Sequence, residues 1–392
     1  MEPPALNPRY DLIIVGASFA GVACALEAAA AGLSVCVIER KHDPGERLHT
    51  TGILVPQALA HPLLADIPSS LVRAVADVCL YAPNLHALRL QADQHAFHTT
   101  DTPALMRWWV GKLAPAGVEL RLGVSFREAL RDADGWQLPG IGHCRDLVGA
   151  DGARSRVAER CQLGRNRQFL HGVEFEYDGV RLADSDALHC FVSQRFARGY
   201  IGWAAQTPTG VQVGLAQRAR AGGSPLPDIR GFLRHMAPAV GHLPARAASV
   251  RAGLIPCGGA VDGVSRDRVH LLGDAAGVVS PVTAGGIHSA LRHGSSLGRW
   301  LAAPDRMPAH DAARARALAQ AAVTHFASKR WLRWGLDHLQ SDLAFNLALK
   351  TPALRRCAEQ LYFHRRGDRS SPSALRQSAQ PVRGAGSATI RD

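Results

Sequence analysis

Lysine is nearly missing from this 392-residue chain: Lys41, Lys112, Lys329 and Lys350 are the whole set. Arginine therefore carries almost all of the formal charge of +12. Such a field favours anionic ligands or acidic surfaces. No dense Lys/Arg block with interleaved aromatics occurs, which argues against nucleic acid as a partner. Nor is there a CxxC pair or a His/Cys cluster among the eight cysteines. That speaks against a zinc centre, any other metal site of that kind, and a disulfide framework. Reduced thiols in a cytosolic protein are expected instead. No run reaches the roughly 18 uncharged apolar residues that a bilayer span needs; Glu27 and Gly32 interrupt the best candidate. The opening MEPPALNPRY has no charged segment leading into an apolar one. No signal peptide is read, and a cytoplasmic location is expected.

What is present is an ordinary globular balance, 47% hydrophobic and 20% charged, on a chain long enough for two domains. The stretch LIIVGASFAGVACALEAAAAGLSVCVIER, Leu12 to Arg40, has a recognisable plan. Leu12 to Val15 is continuously apolar and reads as a short buried parallel strand. Residues 17–31 suit a helix, and Val35 to Ile38 a second strand. Strand, tight turn, helix and strand within about 30 residues is the βαβ unit of a dinucleotide fold.

The turn reads Gly16-Ala17-Ser18-Phe19-Ala20-Gly21. Gly16 permits the sharp bend and Gly21 close contact between helix and strand. Ser18 stands where a glycine usually lets a pyrophosphate approach the backbone. Its hydroxyl can donate to a phosphate oxygen, and the helix N-terminus offers free N–H groups to a diphosphate. Glu39, about 20 residues after the turn, suits a carboxylate accepting from an adenosine ribose. This unit alone does not separate NAD from FAD.

Two further motifs bear on the cofactor: DLVGADGARSRVAE from Asp146, and DRVHLLGDAAGVVSPVTAGGIHSALRHGSSLGRWL from Asp267. In the latter, Val269 to Leu272 reads as a buried strand entering a turn at Gly273-Asp274. A helix follows from near Gly285-Gly286 to about Trp300. The trio GASFAG, GADG and GDAAG, in that order and spacing, resembles the FAD-dependent oxidoreductases of the p-hydroxybenzoate hydroxylase-like superfamily. GDAAGVVSPVTAGGIHSAL, with RLHTTGILVPQAL (Arg47 to Leu59) and GYIGW (Gly199 to Trp203), is most similar to the geranylgeranyl reductase-like group.

The resemblance implies an α/β fold: a discontinuous Rossmann-like FAD-binding domain, an antiparallel β-sheet substrate domain and C-terminal helices. It implies FAD as cofactor, with Asp274 on the ribityl chain and Asp151 and Gly152 near the diphosphate. Gly285, Gly286 and Ile287 would present backbone N–H groups to the pyrimidine edge of the flavin, where a helix N-terminus is a preorganised positive partner. Pro281 would form a rigid wall beside the ring. Gly16, Ser18, Phe19, Ala20, Gly21, Glu39, Arg40 and Gly273 complete the cofactor set. Many relatives place an arginine near the start of TDTPALMRWWVGKL, where this chain has Asp101 and Thr102. Arg107 or Arg47 is the candidate to reach the diphosphate in its place.

The pieces of the cofactor domain are expected at 8–75, 100–165 and 250–305. Residues 76–99 and 166–249 are rich in Val, Ile, Phe, Tyr and Trp with turn signals between, and read as a second, antiparallel sheet roofing the flavin. Residues 306–366 carry a helical apolar period, with arginines and aromatics compatible with peripheral membrane contact. Residues 367–392 are Ser/Gly/Pro/Arg-rich and expected to be disordered.

The implied activity is NAD(P)H-linked reduction or dehydrogenation of a small-molecule substrate, anionic or lipid-like, with the nicotinamide a transient visitor. The alternatives are hydroxylation of a small, aromatic substrate by a flavin monooxygenase, and a non-catalytic flavin-binding protein. Candidate catalytic acids are His288 and Tyr200, with Cys257 behind them. If the Gly16–Gly21 turn grips a diphosphate, Ser18→Gly should retain or tighten FAD. Flavin content after gel filtration checks this, and a large loss would make the hydroxyl a required contact.

Overall fold

The computed structural model describes residues 8–91, 97–219, 226–280 and 285–323; beyond these it describes 333–335, 337, 341–349, 351, 352, 355, 356 and 358. Pro281 and residues 367–392 lie outside the described residues. Strand β1, Arg9–Val15, sits in an eight-stranded sheet. The order along its main path is Ser265–Arg266, Val269–Leu271, Gly142–Gly149, β1, then β2 (Val35–Glu39) and Glu119–Leu122. From Val269–Leu271 to Glu119–Leu122 every neighbour pair is parallel. A hairpin, Leu130–Arg131 and Trp136–Leu138, adds antiparallel pairs beside Gly142–Gly149. Leu12–Val15 of β1 and the whole of β2 are buried, and all but Glu39 of these residues are apolar, as strands covered on both faces must be.

Helix α1, Phe19–Ala30, begins at the Ser18 N-cap, whose Oγ accepts from the Gly21 N–H at 3.2 Å. That bond satisfies one of the orphan donors of the first turn. α1 packs against the helix Ile287–Leu301, which starts directly after Gly286. The contact requires glycine on one side. A Cβ at Gly294 would run into the carbonyl oxygen of Ala20, and one at Gly298 into that of Cys24. Small residues at these places let the two backbones touch, and the N-termini of both helices are fixed together.

The second sheet has seven strands in the order Ser249–Pro256, Phe169–Asp178, Gly210–Arg218, Gly202–Gln206, Ala187–Phe191, Asp77–Tyr81, Ala87–Gln91. It is antiparallel apart from the pair Ala187–Phe191 and Asp77–Tyr81, which is parallel. The expected boundary at residue 250 needs correcting. Ser249–Pro256 pairs along Phe169–Asp178, so the third cofactor piece begins after Pro256. The outer face of this sheet is covered by the helix Ile229–Val240, with Phe232 packed edge-on against Phe191 at 5.3 Å. A short pair, Val72–Val75 with Phe97–Thr100, joins the layers.

A buried ionic knot ties the C-terminal part to the first sheet. The Arg306 guanidinium clasps Asp146 through two bonds of 2.8 and 2.6 Å and reaches Asp311 at 2.5 Å. His270 lies 3.4 Å from Asp146, and Arg306 stacks over Trp300 at 4.8 Å. Burial alone would raise the Asp146 carboxyl; the bonds from His270 and Arg306 overcome it and hold the group well below the ordinary range. Asp146, His270 and Asp311 are close enough to suggest metal ligands, but the guanidinium already supplies their cation. Among the described residues no disulfide forms, and no helix is long and apolar enough to cross a membrane.

The helix–helix contact generates a test. Gly294→Ala should destabilise the fold by about 1–3 kcal/mol through overpacking, whereas Gly111→Ala, at the end of the helix Thr102–Gly111 where no atom crowds a new Cβ, should lose less. Urea unfolding of both variants measures the difference.

Candidate active site: three turns at one sheet edge

Parallel pairing places the carboxyl ends of β1, Gly142–Gly149 and Val269–Leu271 on one edge. The three glycine turns follow those ends and lock together. The Ala150 N–H donates to Val15 O at 2.8 Å, and Leu272 N–H to Gly149 O at 2.9 Å. Gly16 has φ +106° and lies so close to Ala150 that a Cβ would strike its carbonyl. Gly273 has φ +53° and faces Ala20. Gly16, Ala20, Gly21, Asp151, Gly273 and Asp274 are thus brought together at this edge. Gly285, Gly286 and Ile287 sit at the start of the Ile287–Leu301 helix, where a new Cβ on Gly286 would face the Asp274 carboxylate.

The carboxylates differ in what they hold. Glu39, buried at the end of β2, accepts from the N–H groups of Ala17 and Lys41, each at 3.0 Å. It braces the first turn and keeps lone pairs for a further donor. Asp151 accepts from Ser155 Oγ at 2.6 Å and from the N–H groups of Arg156 at 2.6 Å and Val157 at 3.1 Å. Its carboxylate caps the short helix Arg156–Arg160, and any cofactor contact here falls to the backbone around Gly152. Gly152 has φ +87° with open space ahead of it.

Asp274 has no such support. Its backbone oxygen accepts from Asn166 Nδ2 at 2.8 Å, but its carboxylate has no hydrogen-bond partner among the described residues. Desolvation pushes the group up to about 6. Behind it, His293 is fully enclosed, held down to about 3 by burial, and therefore neutral; its Nδ1 lies 3.4 Å from the Gly273 N–H.

The basic residues divide likewise. Arg107 is engaged by Asp43 through three contacts of 2.6–3.1 Å, so its guanidinium belongs to the loop after β2. Arg40 and Arg47 are exposed and make no hydrogen bond or ion pair among the described residues, and Arg47 has φ +44°. Of the sequence candidates, these two are the cations left for an anionic ligand. Phe19 packs inward on Trp109 at 6.0 Å. His288 stands in the first turn of its helix, half-buried. Tyr200 lies just before the strand Gly202–Gln206, edge-on to Trp203 at 6.5 Å, its hydroxyl pushed up by burial. Cys257 is buried, 2.7 Å from Arg218 Nη1, and burial raises its thiol.

This donor set fits FAD. An unpartnered carboxylate beside a glycine-started helix suits a polyol chain, a turn free of side chains suits a diphosphate, and a strand-end glutamate suits a ribose. When bound, FAD supplies reversible two-electron transfer; the protein's residues orient it and exclude water.

Comparison with known proteins agrees. Residues 11–102 match the family described as FAD dependent oxidoreductase, and residues 142–321 match the FAD binding domain. The chain is 27% identical over 307 residues to digeranylgeranylglycerophospholipid reductase 2 of Methanopyrus kandleri, covering 74% of this chain and 76% of that one. It is 22% identical over 303 residues to digeranylgeranylglycerophospholipid reductase of Methanocaldococcus jannaschii, covering 75% and 77%. A geranylgeranyl bacteriochlorophyll reductase-like protein of Thermoplasma acidophilum shares the fold with a TM-score of 0.78 at 15% identity, over 91% of this chain and 97% of that one. So does p-nitrophenol 4-monooxygenase of Pseudomonas putida, with a TM-score of 0.64 at 16% identity over 90% and 97%. The chain is thus an enzyme of the FAD-dependent oxidoreductases. More narrowly, it is similar over about three quarters of its length to proteins named as digeranylgeranylglycerophospholipid reductases.

Asp274 yields a prediction with opposed signs. Its folded value near 6 exceeds the usual carboxylate value of about 3.9. The flavin-free fold therefore binds the proton more tightly than the unfolded chain. Stability falls as pH rises from about 4 to about 6, and the penalty is complete above that. Asp274→Asn should stabilise the flavin-free protein at pH 8, leave it unchanged at pH 3, and weaken FAD binding by about 1.5–3 kcal/mol. Unfolding at the two pH values and a flavin-fluorescence titration test the three parts.

Proposed function

We propose that this enzyme uses NAD(P)H to reduce carbon–carbon double bonds in a lipid-like, isoprenoid substrate lying between the flavin edge and the second sheet. The inner face of that sheet carries the reading. Leu80, Leu90, Leu170, Leu188, Cys190, Trp203 and Ala216 form one apolar cluster there, with Ile53 and Val55 packed on it from the loop after β2 and Phe345, Leu349 and Ala358 from the C-terminal segment. Such a face suits a hydrocarbon chain and offers little to a polar ring. The relatives named as lipid reductases point the same way. Arg40 and Arg47, exposed at the cofactor edge, suit an anionic headgroup or diphosphate. His288 and Tyr200 are the proposed proton sources, the first from the helix that starts beside Asp274 and the second from the sheet.

The test is anaerobic. The FAD-loaded protein is mixed with NADPH and digeranylgeranylglycerophospholipid, and the lipid is examined by mass spectrometry. Addition of hydrogen across its double bonds without oxygen is the expected result. Flavin reduction with no change in the lipid, together with oxygen-dependent hydroxylation of an aromatic acid, would replace this reading with the monooxygenase one.

A further inference from the structure

The loop from His49 to Gly52 is tied on one side to the end of the short strand pair and the helix that follows it, and on the other to the second sheet. On the strand-pair side, Gly52 O accepts from Thr100 Oγ1 at 2.9 Å and Thr51 O from Thr102 Oγ1 at 3.3 Å. Gly52 has φ +70° and is pressed so tightly on these threonines that a Cβ would collide with both. On the sheet side, His49 Nδ1 meets Ala252 O at 3.1 Å, and Arg251 Nη1 donates to Thr50 O at 3.0 Å.

Arg251 is itself bracketed by carboxylates. Strand register puts Arg251, Glu174, Gly214 and Trp203 in one row across four strands. Glu174 accepts from Arg251 Nη1 at 3.3 Å and from Trp203 Nε1 at 3.1 Å. The indole reaches it because Gly214, between them, has no side chain; a Cβ there would overlap the ring. Glu176 takes the other guanidinium nitrogen and is steadied by Ser249 Oγ at 2.6 Å. Arg251 and Glu174 are both buried, 8% and 4% exposed. Removing these charges from water is expensive, and apolar residues of similar volume often stabilise a fold as well. The arrangement is better suited to fixing a position than to adding stability.

We propose that Arg251, oriented by Glu174 and Glu176, is a positioning residue that clamps the 49–52 loop to the second sheet and so sets the gap in which the substrate lies. It is a residue of the site described under the proposed function and rests on that reading for its effect on turnover. The clamp also holds a titratable group. Burial pushes Glu174 up to about 7 against the pull of Arg251, with Glu176 adding to the rise. The charged groups facing it among the described residues are Arg251 and Glu176, with His49 on the loop side held below its usual value by burial. Across neutrality the cluster gains a negative charge, and Arg251 is drawn from Thr50 towards the sheet.

Hydrogen exchange of the FAD-loaded full chain tests this without any substrate. Arg251→Lys keeps the charge but cannot reach Glu174, Glu176 and Thr50 together. We expect at least tenfold faster exchange of amides 49–53, unchanged protection in α1, and FAD content within twofold of the parent. With digeranylgeranylglycerophospholipid as probe, KM should rise at least fivefold with a smaller change in kcat. Glu174→Gln keeps the acceptor from Trp203 but cannot ionise. The parent's loop protection should fall between pH 6 and 8, and the variant's should not. A cooperatively folded Arg251→Lys protein with parental exchange at 49–53 would overturn the clamp, as would a Glu174→Gln protein that keeps the parental pH profile. A parent inactive on the lipid bears on the proposed function alone, since the exchange readout needs no turnover.

Discussion

The close approach of α1 to the Ile287–Leu301 helix is the constraint on which the cofactor edge depends. Phosphate-facing and flavin-facing helix ends can act on one molecule only if their separation is fixed. Gly294 and Gly298 fix it by letting the second helix lie on the Ala20 and Cys24 carbonyls. Gly273 then rests on Ala20, and Asp274 is delivered beside Gly286. The favourable burial of apolar area in this contact pulls the two helices together, while the glycines decide how near they come. Helix ends held in this way present their dipoles at no reorganisation cost when a charged ligand arrives.

Asp274 is kept desolvated and without a partner, a condition unfavourable to the flavin-free fold, and it becomes favourable only when a donor arrives. The middle of the same sheet behaves differently. There Asp146 is saturated by Arg306 and His270, and its ionised state is held far into acid. One parallel sheet thus carries a satisfied carboxylate along its length and an unsatisfied one at its ligand-binding tip. This is the pattern expected when stability and binding are assigned to different places.

Much of this was legible in the sequence because the relevant signals are local. The turn glycines, the apolar strands before them and the helices after them each lie within about 30 residues, and a dinucleotide unit is defined at that range. Side-chain partners were less accessible. Asp151 reads as a diphosphate neighbour, yet it caps the helix that follows. Arg107 reads as a diphosphate ligand, yet Asp43 engages it. The Glu174–Arg251–Thr50 junction was missed altogether. Its members are brought together by strand register over long separations, and no spacing rule marks them. An alternation of charged and apolar residues along Phe169–Asp178, unusual in a strand that is covered on both edges, was the one available hint. The misplaced boundary at residue 250 has the same origin, since Ser249–Pro256 is assigned to its sheet by a partner strand far upstream.

The discontinuity of the cofactor edge also bears on how the protein is made. α1 emerges from the ribosome early, while Gly273, Asp274 and the helix carrying Gly294 come some 250 residues later, tens of seconds at typical synthesis rates. During that interval the alanine-rich face of α1 has no mate, and the nascent chain cannot yet enclose a dinucleotide. A chain ending before Ile287 therefore lacks the partner helix of α1 altogether and leaves that apolar stripe uncovered.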